Sequence, residues 1–130
     1  MRPRAIILFE RLYLASLIVS ALGVVSFLSV FGAITDRDRI VAMVVAIATL
    51  CLFALLVLRV SRRRNRLAKW ALVGLTALTA AFWLYTVGRS FGLVPLDWPG
   101  LVQHLLQIVA TILLFTAPAR AWLEEAHHAA

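Results

Sequence analysis

Few residues of this 130-residue chain are of a type that could do chemistry. His104, Gln107 and Thr111 are spaced three and four apart, so on a helix they share one face, with Gln103 to one side. Such a face could line a hydrated pocket, where an imidazole is the side chain suited to proton exchange near neutral pH. The same groups could equally hydrogen-bond to neighbouring helices and close a short apolar segment. Glu10 is the other candidate, a carboxylate that could carry a proton or pair with Arg62, Arg66 or Lys69. His127 and His128 stand together near Glu124 and Glu125, a loose arrangement with no closed ligand set, so no metal site is expected. Cys51 is the single cysteine and lies inside an apolar run, which rules out an intramolecular disulfide. There is no glycine-rich phosphate loop, Ser/His/Asp arrangement or zinc motif. No catalytic residue and no cofactor are expected, and the chain reads as a non-enzyme.

The elements that must position these residues are dictated by composition. Hydrophobic residues make up 63% and charged residues 15%, against roughly 45–50% and about 25% in soluble domains. A soluble domain this small has too little interior to hide so much apolar surface, whereas lipid can cover it. The net charge of +7 does not imply nucleic acid, because the basic residues are confined to short gaps between apolar runs instead of spreading over a polar surface.

Four runs fit membrane spans, at about 12–34, 40–58, 67–87 and 101–117. A basic start before the first run also fits a secretory signal peptide with Val19-Ser20-Ala21 at the cut. Glu10 interrupts that pattern and the apolar run continues well past the site, so the run reads as a retained helix. Thr35 and Asp38 have capping-box spacing ahead of the second run. The third and fourth runs are separated by Arg89 to Gly100, where Gly92, Pro95, Pro99 and Gly100 break regularity. Phe91, Leu93, Val94, Leu96 and Trp98 within it point to a segment lying against headgroups. Pro118 stops or kinks the fourth run, leaving 118–130 as a short tail. The whole, 1–130, reads as one all-α integral membrane domain, a four-helix transmembrane bundle.

Orientation follows from Lys and Arg. Between the second and third runs lies 59–69, with Arg59, Arg62, Arg63, Arg64, Arg66 and Lys69. With four spans these share a side with Arg2, Arg4, Arg11 and Arg120, while Arg37, Arg39 and Arg89 lie opposite. The positive-inside rule makes the crowded side cytoplasmic, with N-terminus and C-terminus inside. Trp70 and Trp122 then fall at the inner interface, and Trp83 and Trp98 near the outer one. The basic stretch could set topology alone, or also hold anionic lipid headgroups.

Small residues mark where helices can approach closely in lipid. Ser16, Ser20 and Gly23 share a face of the first helix. In the third, Gly74, Ala77, Ala81, Tyr85 and Gly88 fall within an arc of about 80° at 100° per residue, opposite Thr76, Thr79, Trp83 and Thr86. The third helix thus has two distinct faces and is expected to pack on both, one of them serving internal packing or a homodimer seam.

In size and helix count, with an acidic residue early in the first helix, the chain resembles the small multidrug-resistance exporters, which use that residue to exchange protons for cationic drugs. The resemblance implies a carboxylate switch at Glu10. It departs from that family in having Glu10 followed by Arg11, ahead of the full apolar run. A second resemblance covers about a quarter of the chain. Arg2-Pro3-Arg4 with Phe9-Glu10-Arg11-Leu12-Tyr13-Leu14, and Leu113-Leu114-Phe115-Thr116 with Ala119-Arg120-Ala121-Trp122-Leu123, resemble the ends of small bacterial inner-membrane proteins of no assigned activity, and imply no functional residue. The expected function is association in the bacterial inner membrane, as an accessory subunit or homo-oligomer. Its partners would be the bilayer, possible anionic lipids and a membrane protein or second copy. A small dimeric transporter or channel is the alternative.

The charge count makes a direct prediction. Single cysteines placed at Asp36 and Asn65 should react with a membrane-impermeant thiol reagent from opposite sides of the inner membrane, Asp36 from outside. Labelling of both from one side would overturn the four-span topology.

Overall fold

The computed structural model describes residues 3–30, 36–89 and 98–128, with side chains for all of these except 27–30 and 125–128. Five helices account for nearly all of them: α1 (Arg4–Val30), α2 (Asp36–Arg63), α3 (Arg66–Arg89), α4 (Trp98–Leu113) and α5 (Ala117–His128). No strand occurs among the described residues. Three helical segments are long and apolar enough to cross a membrane: Arg4–Ser26, Asp36–Arg63 and Arg66–Arg89. The fourth candidate is composite. At 16 residues α4 is about 24 Å long, short of a hydrocarbon core of roughly 30 Å. Only with α5, bent from it by 63°, does it qualify. Thr35, the first half of the supposed capping box, and 90–97 lie outside the described residues.

Three boundaries differ from the sequence reading, each for a local reason. The first helix begins at Arg4, not near Leu12, because the Pro3 carbonyl accepts from the N–H groups of Ile6 and Ile7 at 3.0 and 3.3 Å. Glu10 and Arg11 do not interrupt it, since Ile6, Phe9, Tyr13 and Leu17 recur at helical spacing and bury one continuous face. The stretch 59–69 is mostly helical. It contains the end of α2 and the start of α3, and only Arg64 and Asn65 join them. Arg64 adopts a left-handed conformation at φ 51°, which turns the chain out of α2. Asn65 donates its N–H to the Arg59 carbonyl at 3.4 Å and accepts from the Ala68 N–H on its side chain at 3.1 Å, capping α3. The expected tail is α5. Pro118 sits in its first turn, where a missing N–H costs nothing. The last residues of α4 tighten into i→i−3 bonds, from Leu114, Phe115 and Thr116 to Thr111, Ile112 and Leu113, and the chain bends there.

The core is gathered at one end. Phe9 packs on Tyr13 with ring centroids 5.9 Å apart, and Tyr13 stacks on Phe53 at 6.1 Å. Around them lie Ile6, Val57, Val60, Leu72, Leu114 and Trp122, all buried. These residues come from the first half of α1, the last third of α2, the start of α3 and the α4–α5 junction. They therefore converge at the end that carries Arg59–Lys69. Toward the other end α2 is open, with Ile40, Val41, Met43, Val44, Val45 and Ile47 all exposed. The helices alternate in direction: Glu10 of α1 meets Arg62 at the end of α2, while Lys69 near the start of α3 meets Phe115 just beyond the end of α4. α1 makes its most extensive contacts with α4 and then with α2.

The Asn65 cap is exposed to a clean test. Asn65→Ala should lower stability by about 1 kcal/mol, and Asn65→Asp or Asn65→Ser should retain most of it, read by thermal unfolding in mild detergent.

Candidate functional site

Two polar clusters lie inside the bundle. The first joins α1 to α3. The Tyr13 hydroxyl and Thr76 Oγ1 are 2.5 Å apart, a side-chain hydrogen bond between residues 63 positions apart in the chain. Ser16 donates to the Tyr13 carbonyl at 2.6 Å, which satisfies its hydroxyl inside its own helix. All three residues are buried. In an apolar setting such a bond holds two helices in register, because neither hydroxyl has water to turn to.

The second cluster is the polar face of α4. Gly100, His104, Gln107 and Ala110 are buried together, so the side of α4 that carries His104 and Gln107 turns inward. His104 stacks on Trp83 of α3, with ring centroids 5.0 Å apart and planes 23° from parallel. Its Nδ1 lies 2.8 Å from the Gly100 carbonyl one turn back. Thr111, half-buried, donates to the Gln107 carbonyl at 2.7 Å. Gln107 is 2% exposed, and its Oε1 has no hydrogen-bond partner. Gln103 is half-buried at the edge of this face. The structure therefore brings His104, Gln107 and Thr111 onto one surface and adds Trp83. It directs the hydroxyl of Thr111 to the helix's own backbone.

Glu10 lies apart from both clusters. It is half-buried at the basic end, with Oε1 3.9 Å from a guanidinium nitrogen of Arg62. Because Arg62 is largely exposed, solvent weakens this pair to at most about 1 kcal/mol. Cys51 is exposed on α2. No group of three or more His, Cys, Asp or Glu residues comes together among the described residues.

The basic end holds more structure than its composition suggests. The Arg64 guanidinium lies 4.4 Å from the centre of the Trp122 ring, pinning α5 across the α2–α3 turn by a cation–π contact. Trp122 is thus buried, whereas Trp70 and Trp98 are exposed. Arg59, Arg62, Arg63 and Arg66 point outward, while Lys69 is nearly enclosed.

The small-residue faces divide. Ser16 is buried and turns toward the bundle, whereas Ser20 and Gly23 are only half-buried and a Cβ added at Gly23 would meet nothing within 4 Å. On α3, Leu72 and Thr76 are buried and Thr79 and Trp83 half-buried. Gly74, Ala77, Ala81, Tyr85 and Gly88 are all exposed. A Cβ added at Gly74 or Gly88 would meet nothing within 4 Å. Among the described residues, α3 buries one face, that of Leu72 and Thr76, inside the chain.

Residues that sequence reasoning did not assign to a site are Tyr13 and Phe115, and Arg64 was expected only as part of the basic stretch, not as a partner of Trp122. Tyr13 had a visible signal, a hydroxyl at helical spacing from Phe9 and Ser16 on a face otherwise apolar. The partnerships of Arg64 with Trp122 and Lys69 with Phe115 had none, since they cross between distant segments. No family model, curated protein sequence or solved structure matches the chain.

Gln107 yields a prediction. Replacing it with Leu removes a buried acceptor without a partner, so Gln107→Leu should be neutral or stabilising by up to about 1 kcal/mol. Thermal unfolding that shows a large loss instead would reveal a partner for Oε1.

Proposed function

We propose that this is a non-enzymatic multi-pass protein of the bacterial inner membrane, with both termini cytoplasmic. It acts by association, as an accessory subunit or homo-oligomer, through the outer face of α3. The observation that carries this reading is the exposure of Gly74, Ala77, Ala81 and Gly88 along one helix. Small side chains give a helix little surface to offer lipid, but they let another helix approach closely enough for backbone contact. The helix meets its own bundle through the other side, so this face is available. The open half of α2 offers further exposed apolar area.

Transport by a dimer is the second reading, favoured by the unpartnered Gln107 Oε1 buried beside His104. It predicts flux in proteoliposomes that His104→Ala or Glu10→Gln weakens.

Association is tested on α3. Gly74→Leu and Ala81→Leu, singly and together, should abolish cross-linking to a second copy or to a co-purifying membrane protein. Helicity and thermal unfolding should remain within about 0.5 kcal/mol of wild type, because both positions are away from the core. Cross-linking that survives the double substitution would sink the assignment of this face.

A further inference from the structure

Where α3 begins and α4 gives way to α5, three cations converge. Lys69 is 9% exposed. Its ammonium lies 4.4 Å from the centre of the Phe115 ring and 5.8 Å from that of Trp70, and these two rings meet edge to face at 6.0 Å. Arg66 and Arg120 stand near enough to repel Lys69, and Glu124 near enough to attract it. The first turn of α3 contains no acidic residue, so the positive end of the helix adds to the repulsion felt by Arg66 and Lys69. The ring faces offset part of this cost. What remains is a concentration of positive charge that one exposed glutamate does not balance.

The surroundings specify what kind of anion fits. Leu67 and Trp70 flank the cations on the outside of α3 and are 82% and 55% exposed. α5, which carries the exposed Arg120, turns away from α4 by 63°, and at this corner Lys69 lies against the Phe115 and Trp70 rings. The corner thus offers charge on one side and bare apolar surface on the other. A free anion would use only the first.

We propose that this corner binds the phosphodiester of an anionic phospholipid, with the phosphate between Lys69, Arg66 and Arg120 and the acyl chains along Leu67 and Trp70. This rests on the membrane reading above, and it takes the first turn of α3, where Trp70 heads the exposed face that continues through Gly74 and Ala77. It differs from a diffuse attraction of the basic stretch to acidic lipid in assigning the effect to three residues and excluding Arg59 and Arg63.

The test uses the full chain in phosphatidylcholine nanodiscs, exchanged with phosphatidylglycerol and read by native mass spectrometry. Lys69→Gln should weaken phosphatidylglycerol binding about fivefold, and Lys69→Gln with Arg120→Gln about thirtyfold. Arg59→Gln with Arg63→Gln, the same charge loss outside the corner, should change it less than about twofold. Equal losses in the two double variants would show diffuse attraction and overturn the site. Glycerol phosphate competing as well as phosphatidylglycerol would show a site for free phosphate and overturn the lipid assignment. Thermal unfolding separates binding from packing. Lys69→Gln should be at least as stable as wild type in pure phosphatidylcholine and should lose the stabilisation that phosphatidylglycerol gives. Equal destabilisation in both lipids would make Lys69 a packing residue and reject the proposal. A chain that does not enter nanodiscs at all would reject the membrane reading itself, before any lipid is compared.

Discussion

The packing of this protein depends on a turn of two residues. Arg64 and Asn65 connect two helices of 28 and 24 residues, so the end of α2 and the start of α3 are forced together. A connection this short allows only an antiparallel pair, and it requires a residue in the left-handed region, which Arg64 supplies. A glycine would occupy that conformation with less strain. Arginine adds a guanidinium over the Trp122 ring, which ties α5 to the same turn. The side chain that strains the backbone therefore also fastens the far end of the chain to it.

From that turn the order of packing follows. Val57 and Val60 precede it, Ala68 and Leu72 follow it, and all four are buried. α1 inserts Ile6, Phe9 and Tyr13 against them, and the Tyr13–Thr76 hydrogen bond holds α1 and α3 in register. Farther away the constraint weakens and the bundle opens, so Ile40 to Val45 are exposed. α3 has one face committed to this core and one uncommitted, and it is the uncommitted one that carries the small residues. The open half of α2 and the small-residue face of α3 are both exposed, while the core is gathered at the charged end.

The polar residues of α4 divide between legible and illegible features. Spacing alone placed His104, Gln107 and Thr111 on one face, and that face turns inward, with His104 and Thr111 bonded to the backbone of their own helix. The partner across from it could not be read. Trp83, expected near the outer interface, is half-buried and stacks on His104. Glu10 shows the reverse: its pairing with Arg62 follows from local charge and helix direction, and both were visible in the order of the residues.

Residue order and composition by themselves determined that the chain is helical and apolar enough to cross a membrane several times. They also concentrated its cations at one end, because apolar run length and charge position are one-dimensional properties. Only the tertiary structure decided that 59–69 is a two-residue turn flanked by helix, that Ala117–His128 forms a helix docked through Trp122, and which face of α3 is covered. Those outcomes depend on which side chains meet across segments distant in the chain. Small residues at helical spacing mark a surface that can be approached closely, and only the positions of the neighbouring helices determine whether the chain itself occupies it.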